Sequence, residues 1–271
     1  MTASAMESAA DALRAGACVA WELPGDRMVR HARRIVSDVV SGLGVPEDFV
    51  HTATVAVSEL ATNALVHGSA HAALESGPPV TGLPELWLYV RGTALPRELV
   101  LSVFDMGLGA SWSAATVPAV GVPDAESESG RGLQILGALA EESQGRWGMH
   151  PSRAPLGAYR LPGTAAWLAL PLPSEIRAGP AFRDISPAEA IESLASHLRH
   201  RGIDGDELQA RVNGRAARLS VRHLTVWALN GAYRWCGASG PRRRPLADVV
   251  DATDQILAET ELARRRSEME G

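Results

Sequence analysis

The chain has 271 residues, enough for one large domain or for a medium domain plus a small one. Its composition is that of an ordinary globular protein, with 46% hydrophobic and 21% charged residues, and a net charge of -5 supplies no global basic field for nucleic acid. The two cysteines, Cys18 and Cys236, lie far apart without a CxxC partner, which argues against a disulfide scaffold or a zinc site and for reduced thiols in the cytoplasm.

No apolar run approaches the ~20 residues that span a bilayer, and Met1 to Gly16 lacks a basic-then-apolar signal pattern. That Ala-rich stretch, 1–16, is expected to be a flexible tail. Ala17 to Leu23 then forms a short edge strand closed by Pro24-Gly25. Asp26 is placed to cap a helix whose apolar face holds Val29, Ala32, Ile35, Val36, Val39, Val40 and Leu43. Gly42 and Gly44 stop it, and Pro46 starts a second helix that runs to about His67-Gly68. Leu86 to Val90 and Leu99 to Phe104 are predicted strands. Ala110 to Ser129 has weak periodicity, two prolines and a run of acids, and is predicted to be a mobile loop. Leu133 to Leu139 carries a helical pattern, and Ala165 to Leu170 is a further strand closed by Pro171 and Pro173.

The C-terminal part is a different unit. Ser186 caps a helix with Pro187 in its first turn, running to about His200. Asn213-Gly214 and Asn230-Gly231 are hairpin signals between strand-like runs, because both turn positions favour positive φ. Leu246 to about Arg265 is helical again, so residues 175–271 form a helix–meander–helix unit. Arg242, Arg243 and Arg244 fall in the loop before the last helix, where a solvated charge run is the ordinary reading and a phosphate or partner patch the alternative. Trp227, Tyr233 and Trp235 lie on the second hairpin, where aromatics usually fill a core and where a partner surface is the alternative.

Three motifs carry chemistry. Glu59, Asn63 and His67 are spaced i, i+4, i+8 and share one helix face. Asp105 ends a strand and leads into Gly107 and Gly109, where a carboxylate beside bare backbone suits a base amino group. Gly130-Arg131-Gly132 precedes a helix, whose free N–H groups and positive dipole end suit an anion. Each motif alone also fits a solvated face or a plain turn.

In this order and context, with Thr164 before the late strand, residues Ala17 to Pro173 resemble the GHKL ATPase superfamily, most closely its anti-sigma-factor serine kinase branch. The resemblance implies a two-layer α/β sandwich of the Bergerat type over 17–174. It also implies roles. Glu59 is the acid that acts as general base or orients the attacking group, Asn63 the Mg²⁺ ligand, and Asp105 the adenine-reading acid. Gly107, Gly109, Gly130 and Gly132 are the turns that approach base and phosphates, with Arg131 at the phosphates or on the rim. Leu133 begins the helix beneath the phosphates, and Thr164 lies near the adenine. The loop Ala110 to Ser129 is then a lid over the nucleotide.

The resemblance implies ATP and Mg²⁺ as cofactors and a cytoplasmic serine/threonine kinase acting on a small protein antagonist. A sigma factor is the further partner it implies. The alternative is a nucleotide-gated protein-binding module with little or no catalysis. No direct nucleic-acid contact and no membrane are expected, and a homodimer is expected by analogy. An autophosphorylating histidine kinase is disfavoured, because His31 has no acidic neighbour in RHARR. The C-terminal unit lies outside the family core and is expected to bind a partner, cover the ATPase sheet or mediate self-association.

Overall fold

The computed structural model describes residues 3–72, 83–93, 96–106, 128–154, 156, 162–179, 184–238 and 240–270. The first element is helix α1 (Ala3–Arg14), where a flexible tail was expected. Met6, Ala9, Ala10 and Leu13 recur at helical spacing and are all buried, so this stretch is part of the core. It crosses the next helix closely enough that a Cβ on Gly42 would lie 3.0 Å from that of Ala10. Arg14 donates to the Gly42 carbonyl, and the Gly179 amide donates to Leu13 at 2.9 Å.

Strand β1 (Val19–Glu22) is followed by a 3-10 turn, Gly25–Arg27, and by α2 (Met28–Gly42). The turn moves the helix start past Asp26, which is therefore not its cap; the cap position is Arg27, with no side-chain hydrogen bond. Gly44, at φ 80°, ends that segment. Helix α3 (Glu47–Ala72) is longer than its sequence signal. Strands β2 (Glu85–Arg91) and β3 (Glu98–Asp105) match expectation. Helix α4 (Glu128–Glu142) starts before Gly130, so the Gly130-Arg131-Gly132 motif forms its first turns instead of preceding it.

Strand β4 (Arg146–Arg153) has only Trp147 and Met149 in apolar alternation and was not foreseen, whereas β5 (Pro162–Pro171) was. The antiparallel sheet has order β1-β2-β3-β5-β4. That order puts β4 at an edge, where Pro151 costs no ladder bond on its open side. Helices α2, α3 and α4 pack on one face through Leu86, Leu88, Leu99, Leu101, Val103 and Leu168. This is the expected two-layer α/β sandwich.

The remaining elements have a second core. Helix α5 (Pro187–His200) begins in a reciprocal capping box between Ser186 and Glu189. A five-stranded meander follows: β6 (Leu208–Asn213), β7 (Ala216–Val221), β8 (Leu224–Leu229), β9 (Ala232–Gly237) and β10 (Gly240–Pro245). Asn230 and Gly231 both have positive φ, as their turn requires. In the earlier hairpin Asn213 pairs with Ala216, so the turn is Gly214-Arg215, with Gly214 alone at positive φ. The arginine run is strand β10 and not a loop: Arg244 binds Asp251 at 2.5 Å, which orders it. Helix α6 (Val249–Glu270) closes the chain.

Helix α6 belongs to both units. Ala252, Ile256 and Leu257 enter the second core, while Asp251, Asp254 and Glu261 on its other side are buried against the first sheet. Of the three roles open to the C-terminal unit, covering the first sheet is one the structure displays. The outer face of that sheet, with Trp87, Phe104, Tyr89 and Val100, is buried as fully as the inner one.

Candidate functional site

Helix α3 presents Glu59 and Asn63 one turn apart, because Ala56, Val57, Leu60, Ala61 and Ala64 turn its other faces into the core. Both polar side chains are half-buried. Helix α4 passes directly over them. A Cβ built on Gly132 would lie 2.8 Å from Asn63 Oδ1, 3.2 Å from Glu59 Oε2 and 3.3 Å from Asn63 Nδ2. The bare glycine is what lets the two helices come this close, and it leaves the acid and the amide side by side.

Asn63 Nδ2 is buried and has no hydrogen-bond partner among the described residues. An unmatched buried amide costs about 1–3 kcal/mol. Burying it here makes sense if a ligand completes its shell. The carboxylate and amide oxygens of Glu59 and Asn63 are the hard donors that Mg²⁺ takes, together with phosphates and water. The site therefore fits a metal–phosphate group, while the described residues hold no cluster of three or more His, Cys, Asp or Glu side chains.

Asp105 and Thr164 sit at the end of the sheet as direct partners across β3 and β5. Direct antiparallel partners share a face. Alternation from Leu101, Val103 and Ala166 puts both on the helix side, where Asp105 is 9% and Thr164 4% exposed. Gly163 was not foreseen. Any side chain there would collide with the Asp105 carbonyl and the Phe104 ring, so the glycine lets β5 seat Thr164 against Asp105. Leu133 is half-buried and packs on the first core. The amides of Gly130 and Arg131 fall in the first turn of α4, where backbone N–H groups lack intrahelical partners. Gly107, Gly109 and loop residues 110–127 lie outside the described residues, as do the side chains of Arg131 and His67.

An α/β sandwich with an acid–amide pair on one helix and a buried Asp at a strand end fits a nucleotide site. Residues 25–148 match the family model of the histidine kinase-like ATPase domain. The match supports the GHKL superfamily for this segment, and with it ATP binding. It ends within β4, so the place of Thr164 rests on strand register. No curated protein matches the chain.

Behind the first sheet lies a charge network that the sequence did not announce. Arg201, at the end of α5, stacks its guanidinium 4.1 Å over the Trp87 ring. It donates to the Arg153 carbonyl at 2.9 Å, to Ser152 Oγ at 2.6 Å and to Asp254 at 3.1 Å. His150 meets the other Asp254 oxygen at 2.9 Å through Nε2, and its Nδ1 lies 3.0 Å from the Pro151 carbonyl. With an acceptor at each ring nitrogen, the imidazolium fits and the neutral ring does not. Arg91 pairs with Asp251 at 2.8 Å, and Arg153 with Glu261 at 2.8 Å. The cations come from the sheet and α5, the acids from α6. Among the described residues no helix is long and apolar enough to cross a membrane, and both cysteines are free.

The network sets a pH dependence. Burial alone would lower the His150 pKa, but Asp254 and the Pro151 carbonyl outweigh it and hold the pKa above the ordinary value. Burial pushes Glu85 up to about 7, against hydrogen bonds from Trp87 and Leu156, and Asp248 up to about 6. All three groups hold protons in the folded state at pH values where the unfolded chain has lost them. Stability from His150 is complete below about 6.5 and is lost as pH rises through its folded pKa, while the cost of ionising Glu85 accrues as pH climbs to about 7 and that of Asp248 as it climbs to about 6. Asp254, Glu98 and Glu261, held low by their cationic partners, lose their contribution only as pH falls below the ordinary carboxylate range. The thermal midpoint is therefore expected to fall between pH 5.5 and 8.0. After allowance for solvent screening the cost is on the order of 2 kcal/mol, about 5 °C for a chain of this size. Calorimetric scans across that range check the sign; a midpoint that rises with pH contradicts it.

Proposed function

We infer that the chain is an ATP-binding regulatory protein, a serine/threonine kinase of the anti-sigma-factor type acting on a small protein antagonist. The observation that carries the reading is the Gly132 cradle, which holds Glu59 and the unmatched Asn63 amide together at one place. Asn63 would hold Mg²⁺ through its oxygen, and the cation would neutralise phosphate charge. Asp105 would accept from the adenine amino group, with Thr164 beside it. Glu59 would take the proton of the acceptor hydroxyl, since phosphoryl transfer asks mainly for positioning, charge neutralisation and a base. The sigma factor and the homodimer belong to the same proposal. Any pairing of two copies uses a surface other than the outer sheet face, which α6 covers.

Calorimetric titration of ATP with Mg²⁺ tests the site. Wild type is expected to bind saturably, and Asn63→Ala and Asp105→Ala to bind at least tenfold more weakly while remaining folded. No binding by folded wild type would remove the ATP reading. Glu59→Gln separates kinase from binding module: retained binding with lost transfer to a serine-bearing antagonist supports the kinase. Wild-type binding without any turnover supports the nucleotide-gated module.

A further inference from the structure

The outer face of the second sheet carries a row of cations around one indole. Strand register aligns Arg211 with Arg218, Arg218 with Trp227, Trp227 with Arg234, and Arg234 with Arg243. Direct partners share a face, so these five side chains form one line across all five strands. At ~4.8 Å per strand the line spans about 19 Å. Trp227 is 42% exposed, and the Arg218 guanidinium lies 6.0 Å from its ring centroid. Arg211, Arg234 and Arg243 are exposed and Arg218 is half-buried.

These arginines differ from their neighbours. Arg222, Arg242 and Arg244 turn toward acids at Glu207, Glu261, Glu259 and Asp251. Among the described residues no carboxylate pairs with the four arginines of the row. The five strands contain no Asp or Glu at all, in a protein whose net charge is -5. The sheet's other face is ordinary core, with Leu219, Val226, Tyr233 and Trp235 buried against α5 and α6. The aromatics of the second hairpin thus divide: Tyr233 and Trp235 fill the core, and Trp227 points out.

We propose that this face docks an extended acidic segment of a protein partner, with an apolar side chain on Trp227 and carboxylates on the flanking arginines. Arginine forks pair with carboxylates through two parallel bonds, and Trp and Arg are the side chains that dominate binding hot spots. The length of the row matches about six extended residues at ~3.3 Å each. Nucleic acid fits less well, because four cations neutralise few phosphates and the acidic remainder of the protein repels the rest. The proposal stands on this sheet and does not depend on nucleotide binding.

The test uses the full chain and a fluorescein-labelled octapeptide, Asp-Ser-Asp-Ser-Leu-Ser-Asp-Ser, whose carboxylates and leucine share one face of an extended chain, read by anisotropy at low salt. Saturable binding is expected in the range of tens of micromolar. The double variant Arg218→Glu/Arg234→Glu should weaken it at least tenfold, and Trp227→Ala about fivefold. Arg199→Glu, an exposed arginine elsewhere, should leave it unchanged. Arg218→Gln/Arg234→Gln, which only removes charge, should show an intermediate loss with an unaltered thermal midpoint. Equal binding of the octapeptide with Ser in place of Leu would overturn the role of Trp227. Tighter binding of an eight-nucleotide oligo-dT would overturn the choice of partner in favour of nucleic acid. Failure of the leucine-bearing peptide to bind, or equal loss in Arg199→Glu, would overturn the proposal as a whole.

Discussion

Asp254→Ala is expected to destabilise the protein by about 3–5 kcal/mol, the range for removing one member of a buried ion pair. Its two oxygens serve three donors, Arg201, Ser152 and His150, at 2.9 to 3.2 Å. Losing them has unequal consequences. His150 can release its proton and become neutral, which limits the damage there. Arg201 cannot, so a guanidinium 8% exposed remains on Ser152 Oγ, the Arg153 carbonyl and the Trp87 ring without a counter-charge. Asp254→Asn keeps an acceptor oxygen and should cost less. Asp38→Ala, which removes the exposed i,i+4 contact to Arg34 at 3.7 Å, should change stability by under about 0.5 kcal/mol. Urea unfolding of the three variants measures the contrast. Because α6 enters the second core and packs on the outer face of the first sheet, Asp254→Ala should lower one cooperative transition instead of splitting it in two. A loss below about 1 kcal/mol would mean that the network is ornamental to docking.

The reason this network was hidden in the sequence is physical. Helix α6 has acids on one side and aliphatics on another, and a helix buried by two different surfaces has no single apolar stripe to recognise. The pattern alone made its interval helical, but it did not say that Asp251, Asp254 and Glu261 face inward. Their partners Arg91, His150, Arg153 and Arg201 are scattered over more than a hundred residues, on strands and at a helix end. Strand β4 is an edge strand with Pro151 and three basic residues, and its alternation is limited to Trp147 and Met149 with no β-branched residue, which leaves its signal weak. The Ala-rich N-terminal stretch reads as a tail in the sequence because its apolar positions are mostly small.

The inner sheet strands and the acid–amide spacing on α3 were legible because their signals are local. Long apolar runs marked β2 and β3, and i, i+4 spacing placed Glu59 and Asn63 on one face. Sequence also suggested that Asp105 and Thr164 belong together, and the register makes them direct partners. What spacing could not supply is the approach of α4. Gly132 was expected to serve as part of a phosphate-facing turn, whereas in the structure its missing side chain makes room for Asn63 and Glu59.

That contact allows stability and binding to be driven in opposite directions. Within a helix, Gly→Ala is worth about 1 kcal/mol in favour of the folded state. At Gly132 the new methyl would stand 2.8 Å from Asn63 Oδ1 and 3.2 Å from Glu59 Oε2. Both neighbours are ends of flexible side chains and can swing away, so Gly132→Ala should fold with an unchanged or slightly raised thermal midpoint. Swinging away, however, removes both the proposed metal ligand and the carboxylate from their positions together. Mg²⁺–ATP affinity is therefore expected to fall about a hundredfold, or about 2.7 kcal/mol. Gly137→Ala provides the control in the same helix. Its methyl would meet Trp147 Nε1 at 3.5 Å, an ordinary contact, so it should gain helix stability and bind nucleotide as wild type does. Calorimetric titration of both variants, with thermal scans of the same samples, decides the matter. If Gly132→Ala bound ATP as tightly as Gly137→Ala, the geometry around Asn63 would not be the nucleotide site. If both lost binding equally, the effect would lie in helix rigidity and not in the displacement of two side chains.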